Sequence, residues 1–433
     1  MKLTTPLFQF ACAGMATLFG LSVSAQPGSG VRVGEQTVLI PSASVSISHN
    51  DNVNLRRRAV SEGGERLSDS DSDVFLNTEL ALSLTHFGDS TQLSGRTWFG
   101  QRRYDENDQL DRDTFGISTG LFWTSPNADT TAKVDLSYQR AVDRTESSQS
   151  IVGDTDRSEE LENVAERVER DEVRANFVIS QQLAQRLRGD AFYNVADFDY
   201  KNERFNDRTS HLVGAELAYR HSEKTTPYLR LQLGMDDDEG FDGTAERPAY
   251  LVGVRYRPTD KLNLNLAVGY ESYTRTPLVR EPNPAAQRFD FVPGEEEKDS
   301  GMKFTANLNY AATPKTSFIL SGRSGFGSVA SSGSNSREEL ALSAAVVHQT
   351  TRQLTQRVSV AWREDDYLSP LNINGDEIDE IKETIWFQYR VDYQTVRPWL
   401  SLYANASFED GSSQIPGDSY TETQFTLGAR ARY

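Results

Sequence analysis

The side chains able to make and break bonds are few and scattered. The chain has five histidines, His49, His86, His211, His221 and His348, and one cysteine, Cys12. A catalytic site needs a base beside a nucleophile or an acid. His211 and His348 instead share the apolar parity of alternating segments. The other three lie near segment ends, and no nucleophile motif surrounds any serine. No enzymatic activity is expected and no catalytic residue is assigned. Cys12 falls in the N-terminal leader, so the mature chain offers no thiol, disulfide or zinc chemistry, and neither a metal site nor a cofactor is expected. Acidic runs occur at Asp69, Asp71 and Asp73, at Asp236 to Glu239 and at Glu295 to Glu297. None has the spacing of a calcium loop. They read as solvated surface or, alternatively, as carboxylates bridged by divalent cations to lipopolysaccharide phosphates.

Recognition chemistry remains. Arginines recur at alternate positions: Arg96, Arg102, Arg188, Arg230, Arg255, Arg323, Arg357, Arg390 and Arg430. Trp98, Tyr228, Trp386, Trp399 and Tyr403 share their parity. Guanidinium groups grip carboxylates and hydroxyls, and aromatic faces stack on sugar rings. Gathered on one inner wall, these groups would favour anions over cations. Basic residues outnumber acidic ones on this parity, although the whole chain carries a formal net charge of -18. Two plainer alternatives stand beside that reading. The charges can pair across strands and hold the wall, and the aromatics can pack the lumen or form interfacial girdles.

The elements that must position these residues are strands of period two. Leu262, Leu264, Leu266, Val268 and Tyr270 alternate with Asn263, Asn265, Ala267 and Gly269. Such segments recur from 37–49 to 419–433 and predict about 18 antiparallel strands, with about 16 as the alternative. Short connections such as Phe87-Gly88-Asp89 and Pro258-Thr259-Asp260 alternate with long acidic ones such as 50–72, 143–171 and 275–298. A sandwich gives no reason for that segregation. A transmembrane up-and-down β-barrel does, with short periplasmic turns, long extracellular loops and both termini in the periplasm. The modest hydrophobic fraction, 37%, fits as well, because only alternate strand residues need to be apolar. Within loop 143–171 a short helix is expected near 157–169, over the mouth or folded inward as a constriction.

Residues 1–25 read as a secretory signal cleaved after Ala25, residues 26–36 as a short periplasmic lead-in, and residues 37–433 as one barrel domain. The last segment, Asp418 to Tyr433, places Phe425, Leu427, Ala429, Ala431 and Tyr433 on one face and Arg430 and Arg432 on the other. Phe425, Leu427 and the terminal Tyr433 resemble the signal by which barrel-assembly machinery recognises outer-membrane strands. The expected surroundings are outer-membrane lipid and lipopolysaccharide. The acidic balance argues against nucleic acid as a partner.

The first expected strand follows Pro41 and ends in Ser48-His49-Asn50-Asp51-Asn52-Val53-Asn54-Leu55-Arg56. This resembles the opening signature of the outer-membrane family beta-barrel porin-2, an aromatic residue followed by Asp-Asp-Asn, an apolar residue and an arginine. His49 stands for the aromatic residue, Asn50 for the first aspartate, and Asn54 is an added residue before Leu55 and Arg56. The resemblance implies an outer-membrane pore associated with export of capsule or extracellular polysaccharide, working with a periplasmic export partner. A general or anion-preferring diffusion porin is the second expectation. A structural or adhesive barrel with an occluded lumen is the third.

Overall fold

The structure, a computed structural model, describes residues 30–53, 72–142, 169–201, 207–238, 243–276, 278–283, 288–327, 337–368, 371–373, 376–378, 381–414 and 419–433. The signal segment, Asp69, Asp71, Glu239 and all of the helix expected near 157–169 except Glu169, which opens a strand, lie outside them.

The barrel strands are β1 (Thr37–Asn50), β2 (Asp73–Phe87), β3 (Thr91–Tyr104), β4 (Arg112–Thr124), β5 (Thr130–Val142) and β6 (Glu169–Ala184). Next come β7 (Leu187–Tyr200), β8 (Arg208–Tyr219), β9 (Thr225–Asp238), β10 (Gly243–Thr259), β11 (Leu262–Thr276) and β12 (Glu297–Thr313). The last are β13 (Thr316–Gly327), β14 (Arg337–Gln349), β15 (Leu354–Tyr367), β16 (Ile381–Gln394), β17 (Leu400–Ser413) and β18 (Tyr420–Arg432). Each pairs antiparallel with the next in sequence, and β1 pairs with β18 from Ser42 opposite Arg432 to Asn50 opposite Gln424. The sheet therefore closes into an 18-stranded barrel with no free edge, which satisfies every ladder hydrogen bond internally. The alternative of about 16 strands is set aside.

The outer face is an apolar belt. Val252 and Met302 are 63% exposed and Leu427 is 62% exposed, and the belt runs round every barrel strand from Val45 on β1 to Phe425 on β18. Water would not tolerate a contiguous patch of that size, whereas lipid requires it. Eight short turns close one end and nine connections the other, and both ends of the strand sequence lie at the short-turn end. The connection at 239–242 is shorter than expected, because β9 and β10 continue their pairing to Asp238 opposite Gly243. The lead-in also contributes: Val31–Val33 pairs with Thr37–Leu39 as a small hairpin at the base of β1. Two further hairpins, Leu278–Asn283 with Arg288–Pro293 and Leu371–Ile373 with Asp376–Ile378, stand in the long connections.

Where β1 meets β18, the Asn50-Asp51-Asn52 stretch fastens the seam. Asn50 Nδ2 donates to Glu422 at 2.5 Å, and Asn52 Nδ2 donates to the Thr421 carbonyl at 2.9 Å. The Asp51 amide donates to the Thr423 carbonyl at 3.1 Å, and the Thr423 amide donates back to Asp51 Oδ1 at 2.6 Å. Val53 then enters a small cluster with Phe75, Tyr104 and Leu110.

Candidate functional site: the barrel lumen

Side chains opposite the lipid belt enclose a cavity of about 1810 Å³ lined by every barrel strand except β15. Its wall is polar: serines, threonines and amides fill the gaps between ionised groups. Arg96, Arg102, Arg188, Arg230, Arg255, Arg323, Arg390 and Arg430 all line it, as do Trp98 and Tyr403. Arg357 does not line it, although it sits directly opposite Arg390 across the β15–β16 ladder.

Most of these cations carry a carboxylate. Arg96 meets Glu79 at 2.7 Å, Arg188 meets Asp190 at 2.8 Å, Arg323 meets Glu339 at 2.7 Å, and Arg390 grips both oxygens of Asp392 at 2.8 Å. Arg230 and Arg255 converge on the buried Glu216 at 2.8 and 2.6 Å. Arg102 donates to Asn77 at 2.7 Å. Arg430 differs: it is exposed to the lumen, its guanidinium lies 5.9 Å from the Tyr403 ring, and among the described residues no carboxylate pairs with it.

The aromatics lie against the wall rather than projecting into the lumen. Trp98, Phe192, Tyr228 and Tyr403 sit directly opposite Gly116, Gly214, Gly253 and Gly428 on the following strand. A Cβ at Gly253 would approach Tyr228 Cζ to 2.2 Å, and one at Gly428 would approach Tyr403 Cζ to 2.4 Å. Each glycine is thus the recess its aromatic partner occupies. Tyr228 is only 4% exposed, capped by Arg255 at 4.5 Å and Arg230 at 5.6 Å, so no ring face is left for a sugar. Trp386 is buried on Ala345 and Ala361. Trp399 lies in the turn between β16 and β17, with Arg397 5.7 Å over its ring, rather than on a lumen strand as its parity implied. Phe425, Leu427 and Tyr433 stand on the outer face.

Toward the long-loop end the lumen narrows by a feature that periodicity does not reveal. The last residues of β13, Gly325 to Gly327, part from β12 while still paired with β14. They cross the inner side of β12 over Gly301, where a Cβ would come within 3.3 Å of Phe326 Cζ. There the Phe326 amide donates to Glu271 of β11 at 2.9 Å, and its carbonyl accepts from Arg247 of β10 at 2.8 Å. Tyr273 packs on the Phe326 ring at 5.6 Å. Beneath, Lys303 meets Glu271 at 2.5 Å, and Arg247 meets Asp236 at 2.7 Å. Beside it, Asp365 is shared by Arg337 at 3.2 Å and Arg363 at 2.9 Å. A buried ionic network therefore holds the β13–β14 hairpin inward. Arg247, which shares the parity of Arg255, was not among the expected lining residues; it stands inside β10, which starts at Gly243. At the rim, Lys201 stays protonated above the ordinary lysine range, held by Asp199 and then Asp171.

Three of the five histidines bond to a residue on the neighbouring strand. His86 bonds Thr37, His211 bonds Tyr193 and His348 bonds Thr316, each at 2.9 Å. Among the described residues no cluster of histidine, cysteine or carboxylates could hold a metal ion.

A closed barrel with a lipid-facing belt and a polar lumen defines an outer-membrane protein of the porin type. The family model described as "Putative beta-barrel porin 2" matches residues 296–433. This is the family the opening hairpin resembles, met here at the opposite end of the chain. No curated protein matches. Among solved structures, OpdK of Pseudomonas aeruginosa with vanillate is 10% identical and covers 91% of this chain and 99% of its own, with a TM-score of 0.44. OccAB3 of Acinetobacter baumannii is 10% identical over 92% and 99%, with a TM-score of 0.46. The ferric-catecholate import receptor Fiu of E. coli is 9% identical over 95% and 82%, with a TM-score of 0.46. Likeness at that level carries no functional argument.

Proposed function

We propose that this protein is an outer-membrane pore whose net-basic lumen conducts anions, and that the anion it serves is an extracellular polysaccharide on its way out. The supporting observation is the sign of the wall: thirteen arginines and lysines line the cavity against seven aspartates and glutamates, in a chain of formal charge -18. A surplus of fixed cations in a narrow polar path raises anion occupancy and excludes cations. The polysaccharide itself rests on the family resemblance, as do the periplasmic export partner and the orientation with both termini in the periplasm. Insertion by the assembly machinery through Phe425, Leu427 and Tyr433 belongs to the same proposal.

One observation favours a second reading, an anion-preferring diffusion channel for small solutes. The inward β13–β14 hairpin narrows the path and would obstruct a polymer unless it moves. Reversal potential across a salt gradient in a planar bilayer tests the shared claim of anion preference; cation preference overturns both readings. Deletion of the gene separates them. Loss of surface polysaccharide supports export, and loss of small-anion uptake with surface polymer intact supports diffusion.

A further inference from the structure

We infer that Arg430, Arg390 and Tyr403 form a binding subsite for the carboxylate-bearing ring of an acidic sugar, at the short-turn end of the lumen. The inference rests on the pore reading above and names the ligand class that the pore would take. Three observations carry it. The first is charge. Arg430 is a lining arginine with no carboxylate partner among the described residues, and Arg390, two strands away on β16, adds a second guanidinium that is paired with Asp392.

The second is the platform. Tyr403 lies flat across Gly428, with Arg390 at 4.9 Å and Arg430 at 5.9 Å from its ring centroid. Unlike Tyr228, Tyr403 remains half-buried and lines the cavity. An aromatic ring flanked by guanidiniums suits a ligand that combines a carboxylate with a ring face.

The third is what adjoins it. Along the β17–β18–β1 seam, Ser44, Ser46, Asn405, Thr426 and Gln424 line the cavity, all uncharged and all able to hydrogen-bond. In register, the strip runs from Arg430 beside Ser44 to Gln424 beside Asn50, about 20 Å of strand. Simple inorganic anions have no use for such a strip, whereas the hydroxyls of a sugar chain do. Charge at one end and neutral hydrogen-bonding groups beyond it would guide an acidic saccharide along the wall without trapping it.

The test uses the full-length barrel refolded into a planar bilayer, its folded state verified by heat-dependent gel mobility. Trigalacturonate is added from the short-turn side, with maltotriose as the neutral comparison, to the parent, to Arg430→Gln and to Tyr403→Leu. Arg430→Gln breaks no ion pair among the described residues, so folding is retained. Arg96→Gln, three strands away on β3 and paired with Glu79, is the control. Trigalacturonate is expected to block the parent. The block should weaken about tenfold or more in Arg430→Gln, weaken in Tyr403→Leu and persist in Arg96→Gln. Equal block of parent and Arg430→Gln overturns the subsite, and equal block by maltotriose overturns the acidic ligand class. A folded parent barrel without conductance overturns the pore reading itself.

Discussion

Releasing the inward hairpin should widen the lumen, and Glu271 is the group to remove. It is 1% exposed and does two jobs, accepting the Phe326 amide at 2.9 Å and neutralising Lys303 at 2.5 Å. Glu271→Ala alone strands a buried ammonium, which costs about 3–5 kcal/mol. That loss would blur hairpin release with general destabilisation. Glu271→Ala combined with Lys303→Met removes both charges, so the electrostatic cost largely cancels and only the hairpin anchor is lost. A hydrogen bond to a charged acceptor contributes about 1.5–3 kcal/mol. Its loss therefore moves the in/out equilibrium of the hairpin roughly 10- to 150-fold outward. The eighteen strand pairings do not involve these side chains, so the barrel should stay closed. Single-channel recording should show either a larger unitary conductance or frequent steps between two conductance levels. A double variant that folds and conducts like the parent, with equally quiet current, would refute the claim that this anchor sets the constriction.

Other outcomes follow from the same geometry. Gly253→Val places side-chain atoms where Tyr228 now lies and should lower stability by about 1–3 kcal/mol through overpacking, seen as a drop in the temperature at which the folded gel band disappears. Asn50→Ala leaves Glu422 without its seam donor, costing about 1–3 kcal/mol; early amide exchange confined to the β1–β18 pairing would reveal it, and uniform exchange would refute it. Leu427→Arg puts a charge on the lipid face and should cost about 2–4 kcal/mol if that site is near the bilayer midplane, measured by urea titration in vesicles. Anion selectivity should shrink as salt rises from about 0.1 M to about 1 M, because the screening length falls from about 10 Å to about 3 Å. Constant reversal-derived permeability ratios would remove fixed lumen charge as the cause.

Strand number, the approximate place of each strand and the inward or outward sense of most strand residues were legible in the sequence because a barrel strand has a strict two-residue period between two different solvents. Leu262 to Tyr270 show it directly: lipid demands one parity apolar, and the lumen demands nothing of the kind from the other. The same rule brought Arg96, Arg188, Arg230 and Arg430 onto one wall. Parity states which face a residue takes and nothing about its height or its neighbour across the ladder. Only register put Tyr228 against Gly253 and Arg357 against Arg390, and only register separated the burdened arginines from Arg430.

The family-like stretch at Asn50 to Asn52 likewise shows no purpose until the last strand arrives beside it, some 370 residues later, to accept its hydrogen bonds. The inward hairpin is the extreme case. Gly325 to Gly327 continue the alternation of β13, yet they part from β12, still paired with β14, because Glu271, Arg247 and Tyr273, on two other strands, bind Phe326 across Gly301. Sequence by itself determined the barrel and its two faces, since each strand meets lipid and lumen independently of the others. The tertiary structure alone decided the seam, the aromatic recesses and the constriction, since each is made by side chains that meet only once the cylinder has closed.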